Sequence, residues 1–181
     1  LKERFGLKDG VADASPAGPG KDAPHRVLLL DPAAGTATFL YAVIRFIREQ
    51  FIARDDAGQW PGYVQRDLLP RLFGFELLMA PYAVAHFKLG LELAARDLDQ
   101  LWRDQWAYEF HANERLHIYL TNTLDDAGHK LQQLIGPAEA ISREAEAAAA
   151  VKAKLPVLVV LGNPPYSNFG QLNKGEWIRG L

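Results

Sequence analysis

Apolar residues fall along this chain in compact clusters separated by longer amphipathic stretches. Arg26-Val27-Leu28-Leu29-Leu30 and Leu155-Pro156-Val157-Leu158-Val159-Val160-Leu161 are short runs closed by polar turns, which predicts two buried strands of a parallel sheet. Arg71-Leu72-Phe73-Gly74-Phe75-Glu76 predicts another strand that ends in an acid, and His117-Ile118-Tyr119-Leu120-Thr121 alternates as a fourth. Between the strands the period lengthens. Phe39, Val43, Phe46 or Ile47, and Phe51 recur at three- and four-residue steps, predicting a helix with Arg45, Arg48 and Glu49 on its wet side. Val84, Phe87 or Lys88, Leu91 and Ala94 or Ala95 mark the buried stripe of a second helix, with Pro81 in its first turn and its end near Asp99. Residues 138–154, rich in Ala and Glu, predict a third by propensity. Residues 1–25 read as a flexible N-terminal segment, aperiodic and rich in Gly, Ala and Pro from residue 10 to 24. Residues 26–181 read as one domain carrying an insertion at about 53–70, with a short helical turn near residues 63–69. The aromatic stretch at 102–113 fits no single element.

The order β-α-β-α-β-α-β predicts an α/β fold: one parallel sheet with right-handed crossovers and helices on both faces. Four polar or small-residue turns then share its carboxyl edge, at residues 31–38, at Glu76, at residues 122–124 and at residues 163–166. In the first, Gly35 and its small neighbours let a ligand approach backbone amides at a helix N-terminus, while Asp31 either holds the turn or binds an ammonium group. Glu76 at a strand end either accepts hydrogen bonds from two ribose hydroxyls or is a solvated acid. Asn122 either pairs with a purine edge or caps its own turn. In Asn163-Pro164-Pro165-Tyr166 the two prolines fix φ and remove two N–H donors. The turn offers an amide, a free carbonyl and an aromatic face, suited to a flat ring with an exocyclic amine, unless it is ordinary turn punctuation.

Composition narrows the class. The chain has 181 residues, 49% hydrophobic and 23% charged, as expected of a globular domain with a proper core. Its net charge of −2 supplies no global basic field, so a nucleic-acid partner would be held by local surface or by surface elsewhere. Cysteine is absent, which excludes disulfides and thiolate metal sites and fits a reducing, cytoplasmic setting. No apolar run approaches the ~18–20 residues of a membrane span. The five histidines show no metal-ligand spacing, and no phosphate-binding P-loop pattern occurs. Trp60, Trp102, Trp106 and Trp177 read as core or interface residues, and Lys152 and Lys154 as a solvated helix face.

Taken together, the turns resemble a known family. Asp31-Pro32-Ala33-Ala34-Gly35-Thr36-Ala37-Thr38-Phe39 resembles the cofactor motif D-P-x-x-G-[ST]-G-x-F of N6-adenine DNA methyltransferases, and Asn163-Pro164-Pro165-Tyr166 matches their catalytic motif. Gly74-Phe75-Glu76 resembles their ribose-binding motif, and Thr121-Asn122-Thr123-Leu124 the one beside the cofactor adenine. The phrases at 78–93 and 157–167 resemble the methylase part of large single-chain restriction-modification enzymes, which join a helicase-like motor to a methylase. The resemblance implies a Rossmann-like methyltransferase fold without its C-terminal strands, and S-adenosylmethionine as cofactor. It implies Asp31, Pro32, Ala33, Gly35, Thr36, Phe39, Glu76, Asn122 and Leu124 as cofactor-binding residues, and Asn163, Pro164, Pro165 and Tyr166 as catalytic ones. It further implies double-stranded DNA with a flipped adenine as substrate, and the rest of a larger restriction-modification polypeptide as partner. Position 37 departs from the pattern, with Ala in place of Gly. A required positive φ there, or packing of the cofactor's methionine part against it, would weaken binding. Protein-glutamine methylases share the N-P-P-Y turn. The Asp-Pro opening and the 132 residues between Asp31 and Asn163 (163 − 31) favour DNA enzymes. A non-catalytic nucleotide-binding module is the rival of another class. With no target-recognition region in these residues, the segment alone is expected not to methylate DNA at a specific site.

Overall fold

Four strands, each two to five residues long, form the frame. In chain order the elements are α1 (Lys2–Phe5), β1 (Leu29–Asp31), α2 (Thr38–Ala53), α3 (Trp60–Tyr63), β2 (Leu72–Glu76), α4 (Met79–Leu93), α5 (Gln100–Trp106), β3 (His117–Leu120), α6 (Pro137–Lys154) and β4 (Val159–Val160). The structure is a computed structural model that describes residues 1–20, 23–124, 137–154 and 156–164. All strand pairings are parallel, in the spatial order β3-β2-β1-β4. Leu29 faces Leu72 on one side and Val159 on the other, and Phe73 faces His117. The fold is therefore α/β and Rossmann-like. The chain steps from β1 to β2 and β3, then returns to the far side of β1. That reversal makes the carboxyl ends of β1 and β4 the place where such sheets bind ligands.

Strand alternation splits the core in two. Leu29, Leu72 and Ile118 point into a large cluster with Leu40, Ile44, Ile47 and Leu89 from α2 and α4. Leu28, Phe73, Phe75 and Tyr119 point the other way, under Ala148 and Val151 of α6. Helices thus cover both faces, and each face buries its own apolar row.

The helix stripes differ from expectation. In α4 the buried residues are Ala85, Leu89, Glu92 and Leu93, whereas Val84, Phe87 and Leu91 are exposed. Apolar residues occur on most sides of this helix, and Ala85, Leu89 and Leu93 are the ones that join the core. In α2, Phe39 and Phe46 are exposed, whereas Leu40, Ile44, Ile47 and Phe51 are buried. Arg48, expected on the wet side, is 2% exposed. Its Nη1 donates to the Glu92 carbonyl at 2.7 Å, and its Nη2 reaches both oxygens of Asp97 at 3.1 and 2.8 Å. Nη2 also lies 2.8 Å from Glu92 Oε1, close enough to pair but not aligned for a hydrogen bond. The buried charge is tolerated because two acids from the end of α4 and the turn after it surround it.

The N-terminal segment is packed rather than flexible over its described residues. Leu7 and Ala12 are in the core, and Pro16 bridges His25. The reason is Arg71, whose buried guanidinium donates to the carbonyls of Val11 at 2.5 Å and Asp13 at 3.2 Å. Arg71 also contacts the Tyr63 hydroxyl, which donates to the Ala12 carbonyl at 2.8 Å. The stretch at 53–70, expected as an insertion, belongs to the same core. It runs through α3 into a π-helical turn over Val64–Leu68, and Trp60 packs edge-on against Phe51 at 5.4 Å. Trp60 and Trp106 are core, as expected, while Trp102 is 44% exposed and Trp177 lies outside the described residues. The last strand is corrected as well. Expected to be buried, β4 pairs with β1 alone among the described residues, and Val160 is 65% exposed.

The Arg48 cluster yields a direct test. Arg48→Leu strands Glu92 in the core and is expected to destabilise the fold by about 3–5 kcal/mol, whereas Arg48→Leu with Glu92→Leu recovers most of that loss. Urea midpoints of the three proteins measure both effects.

Candidate functional site

β1 delivers Asp31 to the carboxyl edge in a fully buried position. One oxygen, Oδ1, accepts the Ala33 N–H at 3.1 Å. The other, Oδ2, has no hydrogen-bond partner among the described residues. Burial pushes this carboxyl above the usual aspartate range; the Ala33 N–H opposes the shift and the nearby Glu76 charge adds to it. The chain then turns tightly. Ala34 N–H donates to the Phe75 carbonyl at 2.8 Å, and Ala37 N–H to the Ala34 carbonyl at 2.7 Å. Gly35 adopts φ +55° and Ala37 φ +56°, the left-handed conformation that lets the chain enter α2 at Thr38. Glycine adopts it without strain, and alanine at a cost of roughly 1–2 kcal/mol.

β2 delivers Glu76, which ties the turns together. Its Oε2 accepts the Gly35 N–H at 2.7 Å and its Oε1 the Leu78 N–H at 2.8 Å. Its backbone carbonyl accepts the Thr121 N–H at the end of β3, at 2.8 Å. Each carboxylate oxygen keeps lone-pair capacity for an outside donor. After β3, Asn122 Oδ1 accepts the Leu124 N–H at 3.1 Å, an Asx turn. Asn122 therefore shapes its own turn, and its carbonyl accepts the Lys152 ammonium of α6 at 2.6 Å. Lys152, expected to be solvated, is a support of the site that also lies over the Phe75 ring at 5.4 Å.

β4 delivers the last turn. Leu161 N–H donates to the Leu30 carbonyl at 3.0 Å, and Asn163 and Pro164 follow as exposed residues. Pro165 and Tyr166 lie outside the described residues. Of the other expected residues, Pro32 and Ala33 are half-buried in the first turn and Thr36 is exposed. Phe39 is 42% exposed on the first turn of α2, and Leu124 is 44% exposed. Sequence reasoning passed over Thr123, whose hydroxyl donates to the Pro32 carbonyl and fastens the third turn to the first. It also passed over Gly162, which abuts Asp31. Neither carries a signal in a single sequence, because each acts on a backbone or a side chain distant along the chain. The concern over Ala37 divides. Its φ is indeed positive, but the residue is fully buried as a member of the core cluster.

Among the described residues no group of three or more His, Cys, Asp or Glu side chains gathers into a metal site, and no helix is long and apolar enough to cross a membrane.

Comparison with known proteins places the fold. No protein-family model matches the chain, and no curated protein matches it in sequence. Solved structures do. Over 92% of its length the chain is similar to the ATP-dependent Type ISP restriction-modification enzyme LlaBIII bound to DNA, with a TM-score of 0.61 and 23% identity. It is similar over the same share to a nuclease-deletion mutant of the Type ISP restriction-modification enzyme LlaGI in complex with a DNA substrate mimic, with a TM-score of 0.57 and 21% identity. The chain spans only 9% and 11% of those two chains. At this identity the likeness establishes the Rossmann-like fold.

The buried acid makes a pH-dependent prediction. Because the folded-state pKa of Asp31 is raised, ionisation opposes folding above the ordinary value of 3.8, fully so once pH exceeds the raised value. Asp31→Asn is therefore expected to stabilise the chain at pH 7–8, and to lose that advantage below pH 3.8. Urea denaturation at the two extremes reads the difference.

Proposed function

We propose that this chain forms the cofactor- and base-binding part of an S-adenosylmethionine-dependent DNA adenine-N6 methyltransferase within a restriction-modification enzyme. The observation that carries the reading is convergence. The Asp31 turn, Glu76, the Asn122 turn and the Asn163 turn meet along one edge of one parallel sheet, where the strand order reverses. The likeness of the fold to segments of restriction-modification enzymes solved with DNA favours DNA over a protein acceptor.

The residues present fit the cofactor. Asp31 offers a buried carboxylate oxygen with no partner among the described residues, suited to the ammonium of a methionine group. Gly35 has open space beside it, with nothing within 4 Å of where a Cβ would stand, and Glu76 keeps acceptor capacity for ribose hydroxyls. When bound, the cofactor supplies a sulfonium-activated methyl group. The chain's own residues prepare the acceptor. An adenine inside a duplex is out of reach, so it is flipped out at a cost of a few kcal/mol. Asn163 through its side-chain oxygen and Pro164 through its carbonyl accept the two N6 hydrogens, which concentrates the nitrogen lone pair and fixes its direction. The exposure of both residues suits capture of an outside group. Tyr166 stacks on the flipped ring.

Asn163→Ala in the full-length protein is expected to slow methyl transfer to adenine-containing DNA by ~10²–10³; a rate within a few-fold of wild type would overturn the assignment. Calorimetry with S-adenosylmethionine tests the donor half. Because the Ala37 methyl group is buried, Ala37→Gly is expected to leave that affinity within about threefold, a change under ~0.7 kcal/mol.

A further inference from the structure

The two halves of the site touch at a residue with no side chain. The Leu161 N–H bond to the Leu30 carbonyl keeps β4 in register with β1 one residue past the strand, which brings Gly162 beside Asp31. A Cβ built on Gly162 would stand 2.5 Å from Asp31 Oδ1, 3.4 Å from its Cγ and 3.4 Å from Pro32 Cδ. The first distance is shorter than real Cβ atoms tolerate. Nor does Asp31 have room to move aside. Its side chain is short and fully buried, and Oδ1 is held by the Ala33 N–H. Gly162 is not among the glycines with positive φ, which are Gly6, Gly10 and Gly35. Glycine is needed here for space.

We propose that Gly162 is a positioning residue for methyl transfer: its missing side chain seats the acceptor turn, Asn163 and Pro164, directly against the acid of the donor turn. The inference rests on the reading of this edge as a methyl-transfer site. Any side chain at 162 meets a fixed carboxylate, so the turn yields and the acid does not. Restoring an ordinary contact of 3.4 Å moves the turn outward by about 0.9 Å (3.4 − 2.5), and misplacement by about 1 Å costs a reaction on the order of 10²-fold.

Two measurements test this. The first is a double-mutant cycle on thermal stability of the full-length chain. Gly162→Ala is expected to lower the melting temperature by about 5 °C beside native Asp31, and by no more than about 1 °C in an Asp31→Ala background, where the obstructing carboxylate is gone. An equal loss in both backgrounds, or none in either, overturns the contact. If Gly162→Ala alone does not fold, restored folding in the double variant supports the proposal and continued failure overturns it. The second is single-turnover methyl transfer at saturating S-adenosylmethionine, whose rate constant does not depend on the fraction of enzyme that is folded. Gly162→Ala is expected to lower it about 10–100-fold while cofactor affinity stays within about threefold. An unchanged rate constant overturns the positioning role. If the wild-type protein transfers no methyl group at all, the functional reading itself falls, and the stability cycle still decides whether Gly162 and Asp31 are in contact.

Discussion

The carboxylate of Glu76 is the tie on which the edge of this sheet depends. It sits at the end of β2, between β1 and β3, and collects an amide from each neighbouring stretch of backbone. The Gly35 amide comes from 41 residues earlier and the Leu78 amide from two residues later. The carbonyl of the same residue receives Thr121 at the end of β3. Bonds from a backbone N–H to a carboxylate are about twice as strong as neutral ones. One of them holds the glycine turn after β1, which has little rigidity of its own, and the other holds the start of α4. The Thr123 hydroxyl adds a second tie by bonding to Pro32, so the first and third turns are fixed to each other as well as to β2.

Around that tie the site carries costs that an ordinary strand-to-helix turn would not. Asp31 is buried with one oxygen unpaired among the described residues, and Ala37 holds a left-handed conformation although it is not glycine. Local penalties of this kind persist only where the surroundings over-determine them. Here the surroundings are the two-faced core: α2 and α4 against one side of the sheet, α6 against the other, and Arg48 clamped by Glu92 and Asp97 where α2 meets α4. The rigid scaffold holds exposed chemistry in Asn163 and Pro164 at its rim, the usual division between framework and function.

Element type was legible from pattern; facing was not. The strands at Leu72–Glu76 and His117–Leu120 begin and end within a few residues of the positions their pattern implies, whereas α4 stops at Leu93 instead of near Asp99 and α5 begins an aromatic stretch that carries no periodic signal. Yet of the stripe that the period implies for α4, Val84, Phe87 and Leu91 are exposed and only Ala95 at its end is buried. A helix with apolar residues on most sides gives a weak period to say which side meets the sheet. Arg48 misled for the opposite reason. A charge reads as a surface residue until its partners are known, and Glu92 and Asp97 lie 44 and 49 residues away. The N-terminal segment has no period to signal packing, yet Arg71 and Tyr63 hold it through backbone carbonyls, which every residue type possesses.

By itself the sequence determined the alternation of strands and helices, the chemistry available at each turn, and the stiffness of the Asn-Pro-Pro turn. Each of these depends on residues within a few positions of one another, where backbone sterics and side-chain period act directly. Only the tertiary structure decided that Glu76 accepts the Gly35 amide from 41 residues away, that Thr123 fastens the third turn to the first, and that Gly162 leaves room for Asp31. The first two contacts exist because β1, β2 and β3 lie side by side, and the last because β4 returns to the far side of β1, which sets residue 162 beside residue 31. No local propensity encodes a neighbour that strand order alone creates.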